Sequence, residues 1–80
     1  MIKSYTIFTT PTCIKCKMLK REMDSMNLGF EKQEVDASTP EGIKLLQSFN
    51  VMSVPTVIFF DENKKEVSRA HDVDEVEECL

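Results

Sequence analysis

The amino-acid sequence predicts a small three-layer α/β domain built on a four-stranded mixed sheet. A length of 80 residues suits one domain, covering residues 1–80. Segments of strand pattern alternate with segments of helix pattern in the order β-α-β-α-β-β-α. Residues 57–60 form a near-continuous apolar run, which is typical of a strand covered on both faces. We therefore expect helices on both faces of the sheet.

The first strand and helix are predicted from residues 2–29. Residues 2–8 are rich in β-branched and aromatic side chains, the composition of a strand. The breaker Thr9-Thr10-Pro11-Thr12 follows, and a helix is expected to begin near Cys13. Apolar side chains at spacings of three and four predict its buried side: Cys16, Leu19, Met23 and Met26. Gly29 is expected to end the helix, because glycine adopts the left-handed conformation without a Cβ clash.

The middle of the chain predicts an edge strand and a second helix. Residues 30–36 have a strand composition at their ends, but four consecutive polar residues between them favour an edge position. Ser38 and Glu41 predict a capping box, and Pro40 suits the first turn of the helix. Asn50 is expected to end it in the left-handed conformation. The predicted inward side carries Ile43, Leu46 and Phe49.

The last third predicts a hairpin and a short helix. Residues 55–60 form an interior strand, residues 61–64 a turn and residues 65–69 the return strand. Asp72 is expected to cap the last helix. Its predicted inward side carries Val73, Val76 and Leu80. The right-handed crossover rule makes the first two strands parallel, whereas the hairpin strands are antiparallel.

Composition and charge exclude several classes of protein. The net charge is −4, whereas a general nucleic-acid binder carries a basic surface, so no nucleic-acid partner is expected. No apolar run approaches the ~20 residues that cross a bilayer, and no membrane partner is expected. Three cysteines, two of them close together, argue against a secreted disulfide scaffold and favour the reducing cytoplasm.

Positive charge is concentrated in the segment that contains the cysteine pair. Residues 1–21 include five basic side chains and no acidic one, whereas the rest of the chain has five basic and all 14 acidic residues. Lys15, Lys17, Lys20 and Arg21 form a basic face of the predicted helix, which is either solvated surface or functional. A functional basic face would steer acidic protein partners and speed association at low salt.

The motif Cys13-Ile14-Lys15-Cys16 lies where the first strand passes into the first helix. A thiol at a helix N-terminus meets unpaired backbone N–H groups and the positive end of the helix dipole, and both favour its thiolate. Lys15 adds positive charge, so Cys13 is the predicted nucleophile. Cys16 lies one turn later on the inward side, close enough to form a disulfide with Cys13. It would resolve a mixed disulfide between Cys13 and a substrate.

Two other interpretations of the cysteine pair remain. The first is half of a zinc site, which needs four ligands; the only further candidates are His71 and Cys79, distant in sequence from the pair. The second is two unreactive core thiols, although a turn at a helix start is a poor place for burial. No metal is expected. His71 is expected at the surface, and Cys79 in the packing of the last helix.

Two motifs occur together in this chain: Thr10-Pro11-Thr12-Cys13-Ile14-Lys15-Cys16 after a strand, and Val51-Met52-Ser53-Val54-Pro55-Thr56 about forty residues later. With these motifs and this order of elements, the whole chain resembles the thioredoxin and glutaredoxin superfamily. The resemblance implies a minimal thioredoxin fold and a dithiol–disulfide oxidoreductase that uses a Cys13–Cys16 disulfide and no bound cofactor. It also implies that Pro55 is a cis proline beside the disulfide, and that Val54 offers its backbone to an extended substrate. The substrate surface would include Pro11 and Thr12.

The resemblance leaves the electron source open between a thioredoxin reductase and glutathione. Thr10 stands where glutaredoxins usually carry a lysine for a glutathione carboxylate, and Thr12 stands where they carry an aromatic residue. Ile7 occupies the position of the buried acid of thioredoxins, so the Cys16 proton must leave through water or another group. These features favour a small thioredoxin-like reductase, expected to be a monomer, whose partners are disulfide-containing proteins such as ribonucleotide reductase. A glutathione-linked glutaredoxin is the alternative.

Overall fold

The computed structural model describes residues 1–80 and contains four strands and three helices in the predicted order. The elements are β1 (Ile2–Thr9), α1 (Ile14–Met26), β2 (Glu31–Asp36), α2 (Pro40–Ser48), β3 (Thr56–Asp61), β4 (Glu66–Ala70) and α3 (Val73–Cys79). The predicted α/β class with a four-stranded mixed sheet is confirmed. The return strand β4 begins and ends one residue later than predicted. None of the helices combines the length and the apolar character that crossing a membrane requires.

The strands lie in the order β2-β1-β3-β4, so that β2 is at an edge and β3 is inside the sheet, as predicted. β1 pairs with β2 in parallel and with β3 antiparallel, and Phe8 is the β1 partner of both Val35 and Thr56. β3 and β4 form the antiparallel hairpin. These registers bring the carboxyl ends of β1 and β2 and the start of β3 to the same end of the sheet.

Each face of the sheet has its own apolar core. Alternation along β1 sends Tyr5 and Ile7 to one face and Phe8 to the other. The first face packs against α1 and α3, through Leu19, Met23 and Val76 among others. The second face packs against the apolar side of α2. Burial on both faces explains why β3 is an almost unbroken apolar run, since four of its six residues are apolar and buried.

The C-terminal end of α1 and the N-terminal cap of α2 differ from the sequence prediction by one or two residues. Asn27, not Gly29, adopts the left-handed conformation that ends α1, with φ 53°. Gly29 also has a positive φ of 75°, but in the turn that leads into β2. At α2 the capping residue is Thr39, whose hydroxyl accepts the Gly42 N–H at 3.0 Å. Ser38 instead bonds to the Asp36 carboxylate, so the predicted box with Glu41 does not form.

Three side-chain placements also differ. Ile43 and Leu80 are exposed, whereas the sequence predicted them to face inward. Leu45 packs against the second core beside Leu46 and Phe49. Leu45, Leu46 and Phe49 lie on the same side of α2. At about 100° of rotation per residue, Ile43 lies roughly 110° from the centre of that side and therefore faces solvent. The predicted left-handed Asn50 and the Asp72 cap of α3 are confirmed.

Candidate active site

The sheet topology brings the two sequence motifs to one end of the molecule. The segment that connects β1 to α1 leaves the carboxyl end of β1, where Phe8 is paired with Thr56. Pro55 is the residue immediately before Thr56. The start of α1 and the residues before β3 therefore lie at the same end of the sheet, although they are about forty residues apart in the sequence.

Cys13 is the N-cap residue of α1. Its backbone is extended, with φ −89° and ψ 111°, and its Sγ accepts a hydrogen bond from the backbone N–H of Cys16 at 3.1 Å. The sulfur thus takes the place of the hydroxyl or carboxylate oxygen that usually caps a helix. It remains partly exposed to solvent. The structure therefore has the Cys13 thiol at the positive end of the helix, as predicted.

The pKa of Cys13 is lowered from its ordinary value. The main cause is a hydrogen bond with the Cys16 side chain, followed by hydrogen bonds from the backbone N–H groups of Cys16 and Lys15. The positive charge of Lys15 acts in the same direction but is the smallest of these causes. The helix end thus contributes more to the thiolate than Lys15, in the order that the sequence predicts.

Cys16 has the opposite environment. Its exposed fraction is only 1%, and burial is the main reason why its pKa is raised to about 11. The hydrogen bond with Cys13 raises this pKa further. The two thiols therefore differ in the way that a nucleophile and a resolving thiol require: one is accessible and readily ionised, and the other is shielded and protonated.

A cleft of about 270 Å³ lies beside Cys16, between the β1–α1 connection and β2. Its lining includes Cys16, Lys17 and Lys20 of α1 together with Glu34 of β2. Lys20 forms an ion pair with Glu34, and its charge lowers the pKa of Cys16, partly opposing the effect of burial. The sequence analysis did not identify Lys20 as a neighbour of Cys16. The available signal was the i, i+4 spacing of Cys16 and Lys20, which places them on one side of a helix.

The residues before β3 present backbone rather than charge. The Val54–Pro55 peptide bond is cis, Pro55 is buried, and Val54 is half-buried against the second core. The N–H and C=O groups of Val54 make no hydrogen bond within the chain. Met52 projects into solvent with 93% of its surface exposed. Pro11 and Thr12, the other predicted substrate-contacting residues, are exposed in the turn before α1.

The two remaining candidates, Cys79 and His71, make hydrogen bonds with residues other than Cys13 and Cys16. Cys79 donates a weak hydrogen bond to the Arg69 carbonyl, at 3.6 Å, and packs against the first core. His71 contacts Glu75, with Nδ1 3.0 Å from Oε1. No group of three or more His, Cys, Asp or Glu side chains is arranged to hold a metal ion.

Residues 5–64 match the sequence profile of glutaredoxins. This segment covers three quarters of the chain and includes both motifs of the site.

The chain belongs to the glutaredoxin family.

Membership of this family supports a thiol–disulfide oxidoreductase-like function. Among curated proteins, an uncharacterized protein of Treponema pallidum (strain Nichols) is 40% identical over 47 residues. The aligned region covers 59% of this chain and 61% of the relative, which is less than two thirds of the relative's length.

Solved thioredoxins show that this glutaredoxin-family chain has the thioredoxin fold. Thioredoxin 1 of Thermosipho africanus superposes with a TM-score of 0.79 at 22% identity, covering 95% of this chain and 88% of that protein. Oxidized thioredoxin O2 of Arabidopsis thaliana gives 0.76 at 23% identity, covering 95% and 68%. The predicted superfamily is thus confirmed, by a glutaredoxin match in sequence and by thioredoxins in structure.

Proposed function

We propose that this protein is a dithiol–disulfide oxidoreductase that reduces protein disulfides through Cys13 and Cys16. The observation that supports this most strongly is the asymmetry of the two thiols. Cys13 is partly exposed at the N-cap of α1, with a lowered pKa, while Cys16 is buried one turn away with a raised one. A structural pair would not need a thiol with a lowered pKa in contact with a thiol with a raised one.

The proposed reaction has two displacement steps. The Cys13 thiolate attacks one sulfur of the substrate disulfide, the substrate S–S bond breaks, and the departing substrate thiolate takes a proton from solvent. The Cys16 thiol then loses its proton to water, and its sulfur attacks Cys13 Sγ. The second substrate thiolate leaves and is protonated. The substrate has gained two electrons and two protons, and the protein holds a Cys13–Cys16 disulfide.

The surroundings of Cys16 support this second step. The cleft beside it gives water a path to a thiol that is otherwise enclosed. Lys20 lowers the pKa of Cys16 from this cleft, so its ammonium favours the thiolate form that attacks. Ile7 is buried in the first core and cannot act as an acid or a base. The Lys20 charge is thus the proposed aid to a step for which thioredoxins use a buried acid.

The residues before β3 are proposed to hold the substrate. An extended segment beside Val54 can pair with its free N–H and C=O groups, as in the addition of a strand. Pro55 has no N–H group, which leaves room for a sulfur atom near Cys13. Pro11 and Thr12 are exposed on the turn before α1 and would contact the same segment.

Insulin reduction driven by dithiothreitol tests the proposal. We expect the wild-type protein to accelerate insulin precipitation, and Cys13→Ser to lose that activity. Cys79→Ser is the matched control, since it also removes one of three thiols, and it should retain the wild-type rate. Full activity in Cys13→Ser, or loss of activity only in Cys79→Ser, would contradict the assignment.

The electron source has two candidates. The glutaredoxin match favours glutathione, and Lys17 and Lys20 supply positive charge in the cleft beside Cys16. However, Lys20 is already paired with Glu34, and Thr10 offers no charge. We therefore favour a thioredoxin reductase. Turnover with NADPH and either a thioredoxin reductase or glutathione plus glutathione reductase distinguishes the two; faster turnover with the glutathione system would reverse our preference.

A further inference from the structure

Unpaired positive charge lies on α1 close to Cys13. Lys17 and Arg21 are four residues apart and therefore lie on the same side of the helix. The ion pairs of the chain use Lys20, Lys32 and Arg69 among the basic side chains, besides the N-terminus and His71. Lys17 and Arg21 take part in none of them, so both charges are available to a partner.

Two exposed apolar side chains share this side of α1. Ile14, which follows Cys13 directly, has 73% of its surface exposed, and Met18 has 57%. They are also four residues apart, and the buried residues Cys16, Leu19 and Met23 lie on the opposite side of the helix. We call the set Ile14, Lys17, Met18 and Arg21 the α1 outer surface. A large apolar pair left in water beside a reactive sulfur is a common mark of a contact surface.

Negative charge flanks this surface on the β2 side, where Glu34 and Asp36 line the cleft that also contains Lys17, and on the α3 side. Glu22 and Asp72 line a small cleft of about 190 Å³ between α1 and the start of α3, together with Lys15 and His71. Towards Cys13, no acidic side chain occurs in residues 1–21. An acidic partner segment would therefore be attracted over the α1 outer surface from the Cys13 end and repelled from both flanks.

We propose that the α1 outer surface docks an acidic segment of the protein substrate. Carboxylates of that segment pair with Lys17 and Arg21, while an apolar side chain packs on Ile14 and Met18. This inference rests on the proposed function and adds the class of client: a protein whose reducible disulfide is flanked by Asp or Glu. The chain as a whole has a charge of −4. The attraction is therefore local and requires the acidic segment of the client to face the α1 outer surface.

Exposed ion pairs and screening determine the expected size of the effect. Each exposed pair changes affinity by roughly 1.5- to 5-fold, and a basic client replaces two attractions by two repulsions. We expect an acidic substrate to react roughly 10-fold faster than a basic one at low salt. At 0.5 M salt the Debye length is only about 4 Å, and the ratio should fall towards about 1–2.

Two peptides that differ only in their charged flanks provide the test. Each carries one cysteine as a mixed disulfide with 2-thiopyridine, a neutral leaving group, with two Glu or two Lys beside an identical apolar residue. Attack by Cys13 releases 2-thiopyridone, whose absorbance gives the second-order rate constant. The measured quantity is the ratio of the rates for the acidic and basic peptides in the same protein sample, so a general loss of activity cancels.

Charge reversal identifies the residues responsible. Lys17→Glu with Arg21→Glu should bring the ratio to 1 or below. Lys44→Glu with Lys65→Glu makes the same change in net charge at exposed residues on α2 and before β4, and should keep the wild-type ratio. A wild-type ratio near 1 at low salt, or equal loss in both double variants, would overturn the inference while leaving the proposed function intact. Failure of Cys13 to react with either peptide would overturn both.

Discussion

The two active-site thiols should differ by at least about 100-fold in their ionised fraction at pH 8. With a pKa of about 11, roughly 0.1% of Cys16 is thiolate at that pH. Cys13 has a pKa below its ordinary value of 9.0, and a thiol at that ordinary value would already be about 10% ionised. Because only the thiolate reacts with alkylating reagents, and Cys16 is also enclosed, Cys13 should be modified almost alone.

A pulse of iodoacetamide on the reduced protein measures this difference. The pulse is given at pH values from 6 to 11, quenched with excess thiol, and followed by quantification of each alkylated cysteine by mass spectrometry. We expect the labelling of Cys13 to rise at lower pH than that of an ordinary thiol, and Cys16 to be labelled only towards pH 11 or after denaturation in guanidinium. The Cys79→Ser variant removes the third thiol as a control. Equal labelling of Cys13 and Cys16 at pH 8 would refute the assigned environments.

The raised pKa of Cys16 also makes the stability of the reduced protein depend on pH. The folded state holds the Cys16 proton up to about pH 11, whereas the unfolded chain releases it near 9. This contribution is therefore fully present below pH 9 and is lost as the pH rises towards 11, by about 2–3 kcal/mol. Urea unfolding of Cys13→Ser, with and without Cys16→Ala, under reductant isolates it as the difference between the two pH profiles, because Cys13 then titrates in neither variant and burial remains the main cause at Cys16. Parallel profiles would contradict the prediction.

Three further substitutions test local features. Gly42→Ala should destabilise the fold by about 1–3 kcal/mol or more, because its Cβ would lie 1.8 Å from the Asp36 carbonyl oxygen; an unchanged urea midpoint would exclude that contact. Asp72→Ala removes the carboxylate that accepts the Glu75 N–H at 2.9 Å and should cost about 0.5–2 kcal/mol, measured in the same way. Lys20→Met should raise the pKa of Cys16 further and slow the resolving step in single-turnover experiments. Lys32→Met should not, because Lys32 pairs with Asp24 and Glu34 but neither lines the cleft nor shifts the pKa of Cys16.

The element order was predictable because each segment has a clear periodicity. β1, β3 and β4 were recognised by strand composition and turn residues, and α1 by its apolar side, which the structure confirms at Cys16, Leu19 and Met23. The fold class followed from the same patterns, whereas the superfamily followed from the resemblance of two motifs, at residues 10–16 and 51–56, to a known family. The predicted helix ends were less accurate, because neighbouring residues compete for the same capping position. Ser38 and Thr39 can both cap a helix, and the Asp36 carboxylate decides between them by binding Ser38.

The site was predictable only where its chemistry is local in sequence. The N-cap position of Cys13 depends on residues that immediately follow it, and it could be inferred from the breaker before α1. The Lys20–Glu34 ion pair could not be inferred from the sequence, because it depends on the parallel register of β1 and β2. In that register Ile7 is the β1 partner of Glu34. A shift of one residue would turn the Glu34 side chain to the other face of the sheet. Lys15 was predicted as the second contribution to the Cys13 thiolate, after the helix end, and its charge is indeed smaller than the hydrogen bonds there.

The most direct test of the central claim is to trap the intermediate. Cys16→Ser leaves the nucleophile in place but removes the resolving thiol, so a reduced sample mixed with a disulfide-bonded protein should stop at a covalent adduct. Peptide mapping of that adduct should find the substrate attached to Cys13, and dithiothreitol should release it. Attachment through Cys79, or the absence of any adduct, would contradict the proposal that Cys13 is the attacking thiol.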